Sequence, residues 1–142
     1  MKKLGIEQNY THGFLDTTLT DANIREVKDT ISNIIKVKNI KTIFVINSDD
    51  HNDHKLIFEA VKICARQSKT SVNKLYAYQV YTNLDLKDFK CSIPFYTKEK
   101  YAMINNYNQD NNTIAIENQD LVFGANIQEL YAEKVKVIFD TI

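Results

Sequence analysis

A chain of 142 residues, 44% hydrophobic and 25% charged, has the make-up of one globular domain, 1–142, rather than of a disordered or fibrous protein. Eighteen basic residues balance eighteen acidic ones, which removes the attraction on which nucleic-acid binders depend, and no apolar run approaches the roughly 20 residues of a membrane span. Met1-Lys2-Lys3-Leu4-Gly5 leads into polar sequence instead of a signal-peptide core, so the expected compartment is the cytoplasm, with no membrane partner.

Thr20 and Asp21 offer capping side chains, and Ile24, Val27, Ile31, Ile34 and Ile35 recur at helical spacing, which predicts an amphipathic helix of about five turns. Ile40 to Ile46 is β-branched and almost continuously apolar, as in a strand covered on both faces. Leu56, Ile57, Ala60, Val61 and Cys64 give a second helix from Lys55 to about Gln67; after a loop at Ser68 to Ser71, a strand runs from Val72 to Tyr81. Cys64 reads as a buried thiol in that helix and Cys91 as an incidental one in a loop, without metal-type spacing.

Farther on, Thr97 caps a helix through about Tyr107, and Asn105 to Asn112 reads as a surface loop. Asn126 opens a short helix, and the alternation of Val135, Val137 and Phe139 predicts a last strand. Helix, strand, helix, strand in this order predicts an α/β fold with a mostly parallel sheet flanked by helices and right-handed crossovers. Three glycines leave no room for a Gly-rich phosphate loop.

The chemistry-bearing residues are concentrated in Asp49-Asp50-His51-Asn52-Asp53-His54, directly after the first predicted strand. Ligands of open α/β sheets bind outside the carboxyl ends of the strands, which is where this cluster falls. His54 is a candidate zinc ligand, since neutral imidazole and carboxylate oxygen are both good donors to that ion. His51 is either a second ligand or, when protonated, a group that stabilises an oxyanion; Asp53 is a candidate to hold its ring, since a nearby carboxylate favours imidazolium. Asp49 and Asp50 are within reach of an ion on His54. The competing reading is a polar loop that caps the next helix, with Asp53 near its N-terminus and both histidines exposed.

Asp50-His51-Asn52-Asp53-His54 with the following Lys55-Leu56-Ile57-Phe58-Glu59-Ala60 resembles the second motif, H-P-D-H or D-x-N-x-D-H, of the PIG-L/LmbE family of zinc-dependent N-acetylglucosamine deacetylases. Leu75-Tyr76-Ala77-Tyr78-Gln79-Val80 is similar to a family strand ending in Tyr-Glu-Val. Lys100 to Gln109 resembles the family's lysine helix, and Phe123-Gly124-Ala125-Asn126 and Leu130-Tyr131-Ala132-Glu133 its closing segments. Upstream, Gly13-Phe14-Leu15-Asp16 looks like the family loop that carries an aspartate. The segments occur in family order across almost the whole chain.

The resemblance implies a Rossmann-like sheet, a zinc ion and hydrolysis of an acetylated amino-sugar conjugate. It makes His54 a metal ligand, His51 the histidine assisting the transition state, and Asp53 the residue orienting His51. It also implies a shortfall. The family begins with a strand ending in His-Pro-Asp-Asp-Glu, which supplies the remaining ligands and the general base, and no such motif occurs in these residues. Asn52, Gln79, Asn108 and Phe123 stand where the family has proline, glutamate, serine and arginine. The expectation is therefore a truncated LmbE-like domain, incomplete as an isolated catalyst and completed by self-association or by a partner chain carrying the N-terminal half. The alternative is a non-catalytic relative that binds a carbohydrate or a protein.

Overall fold

The computed structural model describes residues 8–11, 13–67, 70–78, 91–95, 120–121 and 131–141. The elements run α1 (Ile24–Lys38), β1 (Thr42–Ile46), α2 (Asn52–Arg66), β2 (Lys74–Tyr78), β3 (Cys91–Phe95) and β4 (Tyr131–Asp140). The expected helix from Thr97, the asparagine loop and the helix at Asn126 lie outside the described residues.

A turn closed by Thr20 and Asn23 leads into helix α1. The Thr20 hydroxyl accepts the Asn23 amide at 3.4 Å, and the Asn23 side chain accepts the Thr20 amide at 2.7 Å. This reciprocal pair has the bonding of a capping box but lies in the turn ahead of α1, whose cap residue Asn23 makes no side-chain bond to the helix amides. At the other end Asn39 takes a left-handed conformation, φ 52°, and the chain turns off the helix there.

The buried positions of α1, Ile24, Val27 and Ile35, fall on one face, as the spacing predicts. Helix α2 packs against both α1 and the sheet: Ala60 packs with Leu19, Ile24 and Val27, and Val61, Cys64 and Ala65 share a second cluster with Ile35 of α1 and with Val45, Leu75 and Ala77 of the sheet. Cys64 is fully buried, as expected; its thiol donates to the Lys28 carbonyl and accepts the Ser32 hydroxyl.

The described strands form one sheet in the order β1-β2-β4-β3. β1 and β2 are parallel and are joined through α2, as the alternation predicts. The other two pairings, β2 with β4 and β3 with β4, are antiparallel, so the described sheet is mixed and only one of its pairings is parallel. β4 interleaves Lys134 and Lys136 with Val135 and Val137, the half-solvated pattern of an antiparallel strand, and β1, whose apolar run predicts cover on both faces, is half-exposed as well, with Phe44 51% exposed.

Leu75 faces Phe139 and Tyr76 faces Val137, so Ile138 is the extra residue of a β-bulge. Cys91, expected in a loop, instead opens β3. That strand stands at the end of the order, where a residue without an amide such as Pro94 is tolerated. On the face of the sheet away from α2, Phe44 stacks on Tyr76 with ring centroids 5.3 Å apart.

Leu75 has no exposed surface and lies where α2 meets the sheet. Leu75→Ala is expected to lower unfolding free energy by about 3 kcal/mol in urea denaturation, the usual cost of an unfilled core cavity. Val37→Ala, on the exposed side of α1, is expected to stay within about 0.5 kcal/mol of the parent.

Candidate functional site

The amide of Asn47 donates to the Tyr78 carbonyl at 2.7 Å, so sheet pairing continues one residue past β1 before the chain turns into α2. His51 occupies the cap position of α2 and His54 its first turn, so the helix starts inside the cluster rather than after it. The spacing of three residues then puts both imidazoles on one helix face. Their ring centroids are 4.5 Å apart with planes inclined by 30°.

Each imidazole has its own carboxylate. His54 Nδ1 lies 2.7 Å from Asp49 Oδ2, and the two side chains are 18% and 6% exposed. Asp49 Oδ1 accepts the His51 amide at 2.8 Å. Burial alone would push the Asp49 carboxyl up. The hydrogen bonds from His54 and the His51 amide, with the charge of the two imidazoles, outweigh burial and hold it below the ordinary value near 3.8. His51 Nε2 lies 3.5 Å from Asp16 Oδ1, at ion-pair range, with Asp16 86% exposed. His51 Nδ1 is buried without a hydrogen-bond partner.

Asp53 plays a different local part from the one expected of it. Its Oδ2 accepts the Thr17 amide at 2.8 Å and its Oδ1 the Leu19 amide at 3.3 Å; neither bond goes to His51. The neighbouring Asn52 side chain donates to the Leu19 carbonyl at 3.1 Å. The start of α2 thus holds the 16–19 turn over the site, and buried Leu19 anchors that turn against α1 and α2. Thr17 is left-handed, φ 62°, an unfavourable conformation for a β-branched residue, and its amide is the one bonded to Asp53.

Asp16, His51 and Asp53 each offer a ligand atom, and the three atoms lie within 4.8 Å of one another. One imidazole nitrogen and two carboxylate oxygens form a donor set suited to a divalent ion. An acceptor-only carboxylate also keeps lone pairs after taking one amide on each oxygen, so the bonds of Asp53 do not exhaust it. His54 stands outside this trio. A cleft of roughly 340 Å³ is lined by Ser32, Asn33, Ile35, Lys36, Cys64, Gln67 and Thr70, and no residue of the cluster borders it.

Two partners escape sequence reasoning. Asp49 reaches His54 only because the strand folds back into a helix between them. Asp16 is visible as the aspartate of an upstream loop, but its approach to His51 depends on how that loop docks. No described helix is long and apolar enough to cross a membrane.

No protein-family model and no curated protein matches the sequence. Among solved structures, the fold is similar to the crystal structure of the conserved protein TT1542 from Thermus thermophilus. The two superpose with a TM-score of 0.75 at 14% identity, over 99% of this chain and 70% of that one. At this identity the likeness establishes a shared α/β fold alone.

Asp53→Ala is expected to cost about 1–2 kcal/mol in stability and to speed hydrogen exchange at the Thr17 and Leu19 amides above that at other surface turns. The lowered Asp49 pKa has a defined sign. The unfolded chain binds the proton first as acid is added, so the contribution of Asp49 is present above the unfolded pKa and lost as pH falls through the folded one. Unfolding free energy measured between about pH 5 and pH 2 is expected to fall more steeply for the parent than for Asp49→Asn.

Proposed function

We propose that this chain is a PIG-L/LmbE-type domain whose histidine cluster is the hydrolytic end of an N-deacetylase for acetylated amino sugars. The observation that carries the reading is the pairing of His51 and His54: two imidazoles side by side, each beside its own carboxylate, at the carboxyl end of a strand of an α/β sheet. The sequence segments that follow one another in family order, from Gly13-Phe14-Leu15-Asp16 to Leu130-Tyr131-Ala132-Glu133, support the same reading.

In this reading His54 is a zinc ligand. When bound, the ion supplies Lewis-acid polarisation of the amide carbonyl and a water of lowered pKa. His51, with Asp16 beside its Nε2, carries the positive charge that offsets a developing oxyanion. Asp53 acts by holding the 16–19 turn, and with it Asp16, against the site. The remaining ligands and the general base come from a second copy or from a partner chain, since a catalytic zinc usually takes three protein ligands.

One observation favours a second reading. Both Asp53 oxygens and the Asn52 amide bind the loop backbone, which is what a non-catalytic relative that keeps the scaffold requires. The trio Asp16, His51 and Asp53 would then be a separate, weaker cation seat.

Zinc titration with calorimetry separates these cases. Loss of uptake in His54→Ala, with uptake retained in His51→Ala, is expected for the deacetylase reading; the reverse pattern assigns the ion to the Asp16 trio. Acetate release from an N-acetylglucosamine conjugate is expected to fall at least about 100-fold in His51→Ala, the scale seen when a stabiliser of a tetrahedral intermediate is removed. A parent chain that takes up no zinc and releases no acetate, alone or with its partner, removes the enzymatic reading.

A further inference from the structure

We infer that Asp49 is the positioning residue that fixes the tautomer of His54, holding the proton on Nδ1 and leaving Nε2 as the nitrogen with the lone pair. The geometry rests on a shared carboxylate. Asp49 Oδ1 faces the His51 amide at 2.8 Å, and a backbone N–H can only donate, so this oxygen accepts. Asp49 Oδ2 faces His54 Nδ1 at 2.7 Å, the length of a charge-assisted bond. An ionised carboxylate has no proton to give, so Nδ1 carries it. A free neutral imidazole has no such constraint, and which nitrogen is protonated is decided by the bond the other one makes.

The side chains are closed in around this bond, with Asp49 6% and His54 18% exposed, which keeps water from competing for either partner. The strand-to-helix turn supplies the rigidity. Asp49 follows a residue whose predecessor Asn47 is still paired to β2, and His54 stands in the first turn of a helix packed against both α1 and the sheet. A carboxylate behind a metal-binding histidine orients its ring and raises its basicity, and removal of such a partner typically costs 10–100-fold in metal affinity. For its consequence, though not for the tautomer itself, the inference rests on the reading of His54 as a ligand.

Asp49→Asn makes the sharpest test, because it keeps the size of the side chain and the bond to the His51 amide. That amide demands an acceptor, so the asparagine oxygen must take the Oδ1 place and its NH2 group falls opposite His54 Nδ1. A donor there cannot accept a proton, and the ring is forced into the Nε2–H form. Long-range ¹⁵N–¹H correlation spectra of the metal-free protein, recorded about two pH units above the ordinary imidazole pKa of about 6.5, read the tautomer directly. Asp29→Asn on α1 controls for the lost charge.

The expected result is Nδ1–H for His54 in the parent and in Asp29→Asn, and Nε2–H in Asp49→Asn, with zinc affinity about 10–100-fold lower in Asp49→Asn alone. A parent ring that is Nε2–H or doubly protonated overturns the inference, as does an Asp49→Asn ring that keeps its proton on Nδ1. If the tautomer inverts as expected while the parent takes up no zinc, the role of Asp49 stands and the metal reading of His54 falls.

Discussion

Helix α2 is held by α1 through Ala60 and Cys64 and by the sheet through the cluster around Val61, Ala65 and Leu75, and the position of its first turn governs everything at the candidate site. Small side chains at Ala60, Cys64 and Ala65 let the backbones approach closely, and none of the three exposes more than 2% of its surface. A helix clamped this way has little freedom to slide or rotate, because close-packed interiors resist displacement. His51 and His54 inherit that rigidity from the scaffold.

Polar groups then refine what packing has placed. Asp49 ties the strand end to both the backbone and the side chains of the helix start, and Asp53 ties the same helix start to the 16–19 turn. Negative charge at a helix N-terminus is favourable in its own right, so Asp53 contributes to the fold whatever chemistry the site performs. The unfavourable φ of Thr17 is sustained by the bond from its amide to Asp53 and by the burial of Leu19 two residues later. The site is thus the meeting point of three segments, each held by a different means.

Much of the fold was legible in residue spacing. The isoleucines of α1 and the small and apolar face of α2 state their period plainly, since burial on one side leaves a repeat that exposure on the other side sharpens, and β1 is marked by its β-branched apolar run rather than by a period. The parallel pairing of β1 and β2 followed from the helix between them. Less legible were the direction of β4 and the strand character of Cys91–Phe95. Strand pairing joins residues far apart in sequence, and a run of five containing Pro94 carries no periodic signal of its own. At the site, His51, Asp53 and His54 were singled out by type and spacing, but the part each plays depended on neighbours that spacing does not reveal.

The amino-acid sequence by itself determined the α/β class, the amphipathic helices and the concentration of histidines and aspartates at the end of the first strand, because these are local properties of period and side-chain chemistry. Only the tertiary structure decided which carboxylate serves which imidazole. Asp49 faces His54, Asp16 approaches His51, and Asp53 turns to the loop backbone. Those pairings are set by the angle at which a strand becomes a helix and by the docking of a loop 34 residues away from its anchor, distances over which sequence proximity carries no information.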